Sequence, residues 1–280
     1  LPSPDRIQRV SRQLNDPHPE HRMIVRDAFY SMAQKNEFKS EIISASLVIL
    51  SGDDWRGQEQ AALLLGALDQ KQTSGRMVEL IGTSRPEVKV ASAWALRKLA
   101  VPETASPVHA YVDRVTTDAS SAVMTKHADR QVAHLFELLG ILKDRRSIPL
   151  MEKYIPKSDT FGVDSRSSAI WSLGVIQEGE MNQVLADKLF ERIMDVAGIP
   201  PEFDDVRRTS ILTLARIGAE QHVRDLKKLV PTGIGNFPVD LTIRWAIWKT
   251  TGEKLPLPIP LTLVRTGWFL EHSPKTQSSP

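Results

Sequence analysis

The sequence predicts an all-α protein in which about seven helix pairs follow one another as a solenoid, and three observations support this. Apolar residues recur at positions i, i+3, i+4 and i+7, the period of an amphipathic helix and not the alternation of a strand. An apolar position recurs at a nearly regular distance along the chain, and polar or proline-containing turns separate the apolar stretches. Because one helix pair cannot bury its apolar stripe alone, neighbouring pairs are expected to stack and share a core.

The recurring apolar residue, termed the anchor, lies in the second helix of each pair. A small residue precedes it by four positions and a basic residue by seven, and an apolar residue follows three later, as in Arg166, Ala169, Leu173 and Ile176. The second copy lacks the basic residue, and the fourth and seventh copies are more degenerate. The anchors, which lie 31 to 43 residues apart, are Phe29, Leu65, Leu96, Leu139, Leu173, Leu214 and Ile247.

Each pair is expected to begin with another amphipathic helix, followed by a polar turn. Asp, Ser and Thr side chains in these turns are expected to cap the second helix, because they can accept hydrogen bonds from its unpaired N–H groups. The pairs Asp53 and Asp54, and Asp204 and Asp205, are interpreted as such turn residues and not as an acid and a base. Pro86 is placed just before or at a helix start. The predicted first helices cover residues 5–14, 40–50, 76–81, 106–115, 147–155, 183–196 and 221–229.

Three stretches of the chain resemble the HEAT repeat family, and in particular the short HEAT-like repeats first associated with bilin lyases. They read PEVKVASAWAL (86–96), SRSSAIWSLG (165–174) and DVRRTSILTLARIG (205–218). The resemblance covers roughly residues 1–252 and implies a right-handed α-solenoid, with second helices on a concave face and first helices on a convex face. It also implies that Arg22, Arg166 and Arg207 bond with acidic turn residues, with contact to a ligand as the alternative. It does not identify a function, since HEAT solenoids serve as scaffolds, adaptors, inhibitors and occasionally enzymes.

Residues 253–280 have a different composition and are treated as a separate C-terminal segment. Residues 255–260 alternate with proline and are expected to be extended, because proline cannot continue a helix. Apolar residues follow from Leu261 to Leu270, and we expect them to fold back as a cap on the last repeat. The alternative is that they dock onto a partner. Residues 273–280 are expected to form a loose tail.

Composition excludes several classes of protein. The 280 residues include 41% hydrophobic and 25% charged residues, as in an ordinary globular chain, and the formal net charge is only +2. A protein devoted to gripping phosphate backbones is usually more basic. Cysteine is absent, which excludes disulfides and thiolate chemistry, and the longest apolar runs are too short for a membrane span. The chain begins with Leu1, so export is not excluded and the compartment stays unknown.

The search for catalytic patterns gives no candidate. Phosphate-binding, nucleophile-elbow and zinc-protease motifs are all absent from the sequence. His18 and His21 lie three residues apart at a helix start and are interpreted as a surface cluster, because no third metal ligand accompanies them. His127 and His134 share one predicted helix, again with no partner. No catalytic residue, metal or cofactor is therefore predicted.

The tryptophans give the main candidate site. Trp94, Trp171 and Trp245 each precede their anchor by two residues, which places them about 160° around the helix from it and away from the first helix of their own pair. Trp248 lies one turn beyond Trp245. Together with nearby basic residues they could form a binding surface for anionic or aromatic groups, or could instead fill the seams between adjacent second helices. The candidate partner-binding residues are Trp94, Arg97, Trp171, Arg208, Arg216, Trp245, Trp248 and Lys249.

Three functional hypotheses follow. The favoured one is a non-catalytic scaffold or adaptor that holds a protein or peptide on its concave face. The second is a nucleic-acid-binding protein like the HEAT-like DNA glycosylases, but among the repeats only the first has a carboxylate, Asp27, in the corresponding position, and the small net charge disfavours it. The third is a lyase or chaperone subunit of the bilin-lyase type, in which catalysis would need a second chain.

Overall fold

The computed structural model describes residues 3–118, 124–230 and 238–256, and in these ranges every regular element is helical. Within these ranges, fourteen α-helices form seven consecutive pairs. The first helices are α1 (Pro4–Ser11), α3 (Lys39–Ser51), α5 (Ser74–Leu80), α7 (Ala105–Asp118), α9 (Ile148–Glu152), α11 (Gln183–Met194) and α13 (Glu220–Asp225). The second helices are α2 (Pro19–Gln34), α4 (Trp55–Ala67), α6 (Pro86–Leu99), α8 (Lys126–Ile141), α10 (Val163–Ile176), α12 (Asp204–Ile217) and α14 (Pro238–Thr251). The all-α prediction is confirmed.

The second helices pack side by side in chain order, and we refer to them together as the second-helix row. Their close approach has a repeated cause. A methyl group added at Gly140 of α8 would lie 2.6 Å from Ser172 Oγ of α10, and one added at Gly174 of α10 would lie 2.6 Å from Thr213 Oγ1 of α12. The same two hydroxyls donate to backbone carbonyls of the preceding second helix, at 2.8 and 2.7 Å. Small residues and these bonds together hold the row tightly.

All seven anchors are buried, with at most 2% of their surface exposed. They lie in two hydrophobic clusters. The smaller cluster joins the first two repeats, and the larger one runs continuously from Leu50 to Ile247. The repeat identified in the sequence therefore marks the core of the protein.

Arg166, the basic residue of the fifth repeat, is buried. It binds both a carboxylate that follows it in the sequence and backbone carbonyls that precede it. Its Nη1 and Nη2 donate to the two carboxylate oxygens of Glu202, at 2.8 and 2.7 Å, and its guanidinium also donates to the carbonyls of Tyr154 and Ile155 at the end of the first helix. Burial raises the pKa of Glu202, but the hydrogen bonds and charge of Arg166 outweigh burial and keep that pKa below its ordinary value. The expected acidic partner exists, but it comes from the next repeat.

Arg22 and Arg207 show the same preference for carbonyls at the end of the preceding first helix or its turn. Arg22 Nη1 donates to the carbonyls of Asp16 and Pro17, at 2.8 and 3.2 Å, and Arg207 Nε donates to that of Ile193 at 3.1 Å. These carbonyls have no partner within a helix, so an arginine supplies the missing donor. The basic position of the repeat is thus a structural clamp between the two helices of a pair.

The predicted capping of second helices by Asp, Ser or Thr side chains is wrong at α2, α4, α6 and α12. The residues that precede these helices are His18, Asp54, Arg85 and Phe203, and none of them caps its helix with a side-chain hydrogen bond. Asp204 and Asp205 are not turn residues, because they form the first turn of α12, where they pair with Arg207 and Arg208. Pro86, in contrast, is the first residue of α6, as predicted.

The cap of α10 comes from a neighbouring helix. Asp129 of α8 accepts hydrogen bonds from the backbone N–H groups of Asp164 and Ser165, at 3.1 and 3.0 Å. Sequence reasoning assigned caps only to residues next to each helix, and could not find a carboxylate 35 residues away.

The described part of the C-terminal segment ends at Pro256. Leu255 packs against the core, Arg244 donates to the carbonyl of Pro256, and Lys227 pairs with Glu253. Residues 257–280 lie outside the described residues, and with them the predicted cap and the predicted loose tail. No helix in the described ranges is both long and apolar enough to cross a bilayer.

Candidate functional site

The candidate residues lie on α6, α10, α12 and α14 of the second-helix row, but their environments differ. Trp94 of α6 is 3% exposed and packs close to Gly66 of α4. Lys98 lies 5.6 Å from the centre of its ring. This environment favours the seam-filling interpretation for Trp94, because a buried ring cannot be reached by a partner without a rearrangement.

Trp171 and Arg216 form a pair that spans two adjacent second helices. The Arg216 guanidinium lies 5.2 Å from the centre of the Trp171 ring, and its Nη1 is 3.5 Å from the Trp171 carbonyl oxygen. Both side chains are partly buried. Burial lowers the pKa of Arg216 while the charge of Glu178 raises it, yet an arginine remains protonated at neutral pH. The pair therefore offers an aromatic and a cationic group at the surface of the row.

The last helix, α14, exposes an apolar stripe. Leu241 and Trp248 are 45% and 49% exposed, and Trp245, between them, is partly buried. The spacing of four and three residues puts these three side chains on one face of the helix. Lys249 is exposed beside them. A half-exposed tryptophan within such a stripe is typical of interaction surfaces.

Arg97 and Arg208 are engaged in ion pairs. Arg97 Nη1 of α6 lies 2.5 Å from Glu137 Oε2 of α8, and Ser168 Oγ of α10 donates to the other oxygen of that carboxylate at 3.2 Å. Arg208 lies 3.1 Å from Asp205 within α12. Sequence reasoning missed Glu137, because it lies 40 residues from Arg97 in the chain and therefore gives no local signal.

His134 of α8 is completely buried. Burial lowers its pKa to about 3, and the charges of Arg97 and Arg130 contribute in the same direction. The imidazole is therefore neutral at physiological pH. His18 and His21 lie at the surface near Asp16, as expected. Among the described residues, no group of three or more His, Cys, Asp or Glu side chains is arranged to hold a metal ion.

The structure thus divides the candidate residues. Those of α10, α12 and α14 place aromatic rings, an apolar stripe and cations at the surface of the row, whereas Trp94 lies inside it and Arg97 binds across it. We call the surface part, formed by Trp171, Arg216, Leu241, Trp245, Trp248 and Lys249, the C-terminal patch. Its chemistry is suited to recognition of a side chain or peptide through burial of apolar surface and cation–π contacts.

Comparison with known proteins gives matches at the level of structure. One chain of the complex of CpcE and CpcF of phycocyanin lyase from Nostoc sp. PCC7120 superposes with a TM-score of 0.53 and 15% identity, covering 88% of this chain and 94% of that one. An engineered protein superposes with a TM-score of 0.49 and 16% identity, covering 87% of this chain and 68% of that one. No protein-family model matches the sequence, and a search of curated proteins also gives no match. At this identity the likeness to the lyase chain shows the fold, which is a HEAT-like solenoid of helix pairs.

Proposed function

We propose that this chain is a non-catalytic scaffold or adaptor that holds a partner protein or peptide on the concave face of its second-helix row. The observation that carries the proposal is the C-terminal patch, above all the 49% exposure of Trp248 beside Leu241. Tryptophan is among the residues that contribute most when an interface buries them, and exposed apolar stripes on helices are a usual docking surface. A partner that covers this stripe would remove its apolar area from water.

The structural neighbour supports a partner that is itself a protein, because that chain comes from a complex of two subunits. It also keeps open a second candidate function, that of a lyase or chaperone subunit of the bilin-lyase type. In that case the row would hold a second helical-repeat chain, and catalysis would need both chains.

Nucleic acid fits the second-helix row less well. Two of its candidate arginines, Arg97 and Arg208, already pair with carboxylates of the chain. The formal net charge of +2 gives little long-range attraction for a polyanion.

Affinity capture with paired variants tests the proposal. We expect Trp248→Ala to lose the captured partner with little change in melting temperature, because its side chain is half exposed. Val184→Ala is the matched control, since Val184 is 64% exposed on the first helix α11 and should leave capture intact. Equal capture by both variants would contradict the proposal.

A stability measurement separates binding residues from packing residues. Trp94→Ala should lower the free energy of unfolding by about 3–5 kcal/mol, as for a buried aromatic side chain. If Trp248→Ala destabilised the protein as much, Trp248 would be a packing residue. A loss of the captured partner in that variant would then not show that Trp248 binds it. If the captured protein is a second helical-repeat chain, assay of the pair for lyase activity on a bilin-carrying protein decides between scaffold and lyase subunit.

A further inference from the structure

Trp55, the first residue of α4, is surrounded by three arginines. The guanidinium carbons of Arg56, Arg85 and Arg22 lie 4.7, 5.1 and 5.8 Å from the centre of its ring. Each distance is within the range of a cation–π contact. No local sequence pattern marks this tryptophan, because Arg85 comes from the start of the next second helix and only the fold brings it to Trp55.

The three arginines differ in what else they bind. Arg22 is buried and committed, since it donates to two backbone carbonyls and lies 3.7 Å from Glu59. Arg56 and Arg85 form no ion pair and no side-chain hydrogen bond with any residue that the structure describes. Arg56 is partly exposed and Arg85 is exposed, so both can reach a ligand from solvent.

Arg56 and Arg85 place two positive charges beside the Trp55 ring, and an anion that binds both would neutralise them. Because both guanidinium carbons lie about 5 Å from the same ring centre, they are within about 10 Å of each other, and their like charges repel. The Trp55 ring lies close to both guanidinium groups but accepts no hydrogen bond from their N–H groups. Those N–H groups have the geometry that binds carboxylate and phosphate oxygens in pairs.

We propose that Arg56 and Arg85, held by Trp55, form a binding site for a phosphate monoester carried by a peptide. A monoester has close to two negative charges at neutral pH and matches two guanidinium groups, whereas a carboxylate supplies only one. The acidic residues Asp53 and Asp54 lie next to the site in the sequence and are exposed. They would repel a nucleic acid strand, which carries a charge on every nucleotide, more strongly than a peptide with neutral residues on either side of a single phosphoserine.

This site lies at the start of α4 and α6, away from the C-terminal patch, so its test and that of the proposed function can succeed or fail separately. The probe is a blocked pentapeptide of alanines with one central phosphoserine, and its binding to the full chain is measured by calorimetry. Peptides with serine or glutamate at that place, and inorganic phosphate, are compared with it. We expect the phosphoserine peptide to bind at least about tenfold more tightly than the other two peptides.

Variants assign the binding to the two arginines. Arg56→Gln and Arg85→Gln should each weaken binding of the phosphoserine peptide about tenfold, while Arg56→Lys, which keeps the charge but loses the planar fork, should weaken it less. Arg114→Gln is the matched control, because Arg114 also lies over an aromatic ring, that of Tyr111 at 5.4 Å, but no second arginine among the described residues lies over that ring. Its binding should be unchanged. A melting scan of each variant shows whether it is folded.

Three outcomes would overturn the proposal. The first is that the phosphoserine and serine peptides bind with equal affinity. The second is that Arg56→Gln and Arg85→Gln leave the affinity for the phosphoserine peptide unchanged in folded protein. The third is that inorganic phosphate binds as tightly as the peptide, which would assign the site to the free anion instead.

Discussion

At the scale of single residues, the buried ion pair between Arg166 and Glu202 joins two consecutive repeats through the interior, with side chains 2% and 0% exposed. Such a pair balances a large desolvation cost against a short bidentate contact and the carbonyl bonds of Arg166. Arg192 lies 3.6 Å from the same carboxylate and adds a second positive charge. Removing one partner leaves the other charge buried, which is far less favourable than the pair.

We therefore expect Glu202→Ala to lower the free energy of unfolding by about 3–5 kcal/mol, measured by chemical denaturation. Glu180→Ala is the matched control. Glu180 also forms a bidentate pair with an arginine of the preceding repeat, Arg145, at 2.8 and 2.6 Å, but both side chains are more than half exposed. Its loss should hardly change the denaturation midpoint. If the two substitutions lowered the free energy of unfolding equally, burial would not explain how much the pair of Arg166 and Glu202 stabilises the protein.

His134 predicts a pH dependence of stability. Its pKa is about 3 in the folded chain and near 6.5 when unfolded, so the unfolded state takes up the proton first as the pH falls. The stabilisation from the neutral imidazole is complete above pH 6.5 and is lost progressively between pH 6.5 and pH 3. At pH 5 the loss amounts to about 2 kcal/mol of the free energy of unfolding. Urea unfolding at pH 7.5 and pH 5 measures it.

A pair of asparagine substitutions assigns this pH dependence. In His134→Asn the difference in unfolding free energy between the two pH values should shrink by about 2 kcal/mol. In His127→Asn it should equal that of the parent chain, since His127 lies exposed on the same helix. An unchanged difference in His134→Asn would show that another group titrates.

At the scale of helices, the sequence was sufficient to predict features that follow from the helical period, such as which residues are buried. It was insufficient to predict contacts between residues that are far apart in the chain. The anchors follow from apolar spacing, and all of them are buried. The cap of α10 by Asp129 and the pairing of Arg97 with Glu137 could not be predicted, because the groups meet only after the second helices have stacked. The angle of the tryptophans was predictable from helix geometry. Helix geometry does not predict whether a neighbouring helix covers each ring. Trp94 is covered and Trp248 is half exposed.

The packing of second helices gives a prediction at this scale. Gly→Ala inside a helix normally stabilises it by up to about 1 kcal/mol, but at Gly174 the added methyl would meet Thr213 at 2.6 Å and its backbone at 3.0 Å. We expect Gly174→Ala to destabilise the protein by about 1–3 kcal/mol in thermal or chemical unfolding. Gly75→Ala, in helix α5 with no atom near the added methyl, should be neutral or stabilising. If Gly174→Ala were stabilising, α10 and α12 would not be as close as described.

At the scale of the whole molecule, one continuous row of second helices carries both the core and the candidate surface. The row is tightly packed along α8, α10 and α12, so the backbones of these three helices have fixed positions relative to one another. A backbone that is already fixed before binding loses little conformational freedom when a partner binds, which favours affinity. The fold of the lyase chain shows that the same architecture occurs in a complex of two subunits.

Site-specific photo-crosslinking can show whether a protein partner binds the C-terminal patch, as we propose. A photoreactive amino acid replaces Leu241, 45% exposed on α14, and in a second version replaces Val184, 64% exposed on α11. Each version is irradiated in extract from its source cells, and the adducts are identified by mass spectrometry. We expect one protein to be crosslinked from position 241 and not from position 184. Its adduct should disappear when unlabelled chain is added in excess, but persist when that competitor carries Trp248→Ala. Adducts from position 184 alone, or equal competition by the parent and Trp248→Ala chains, would contradict the proposal.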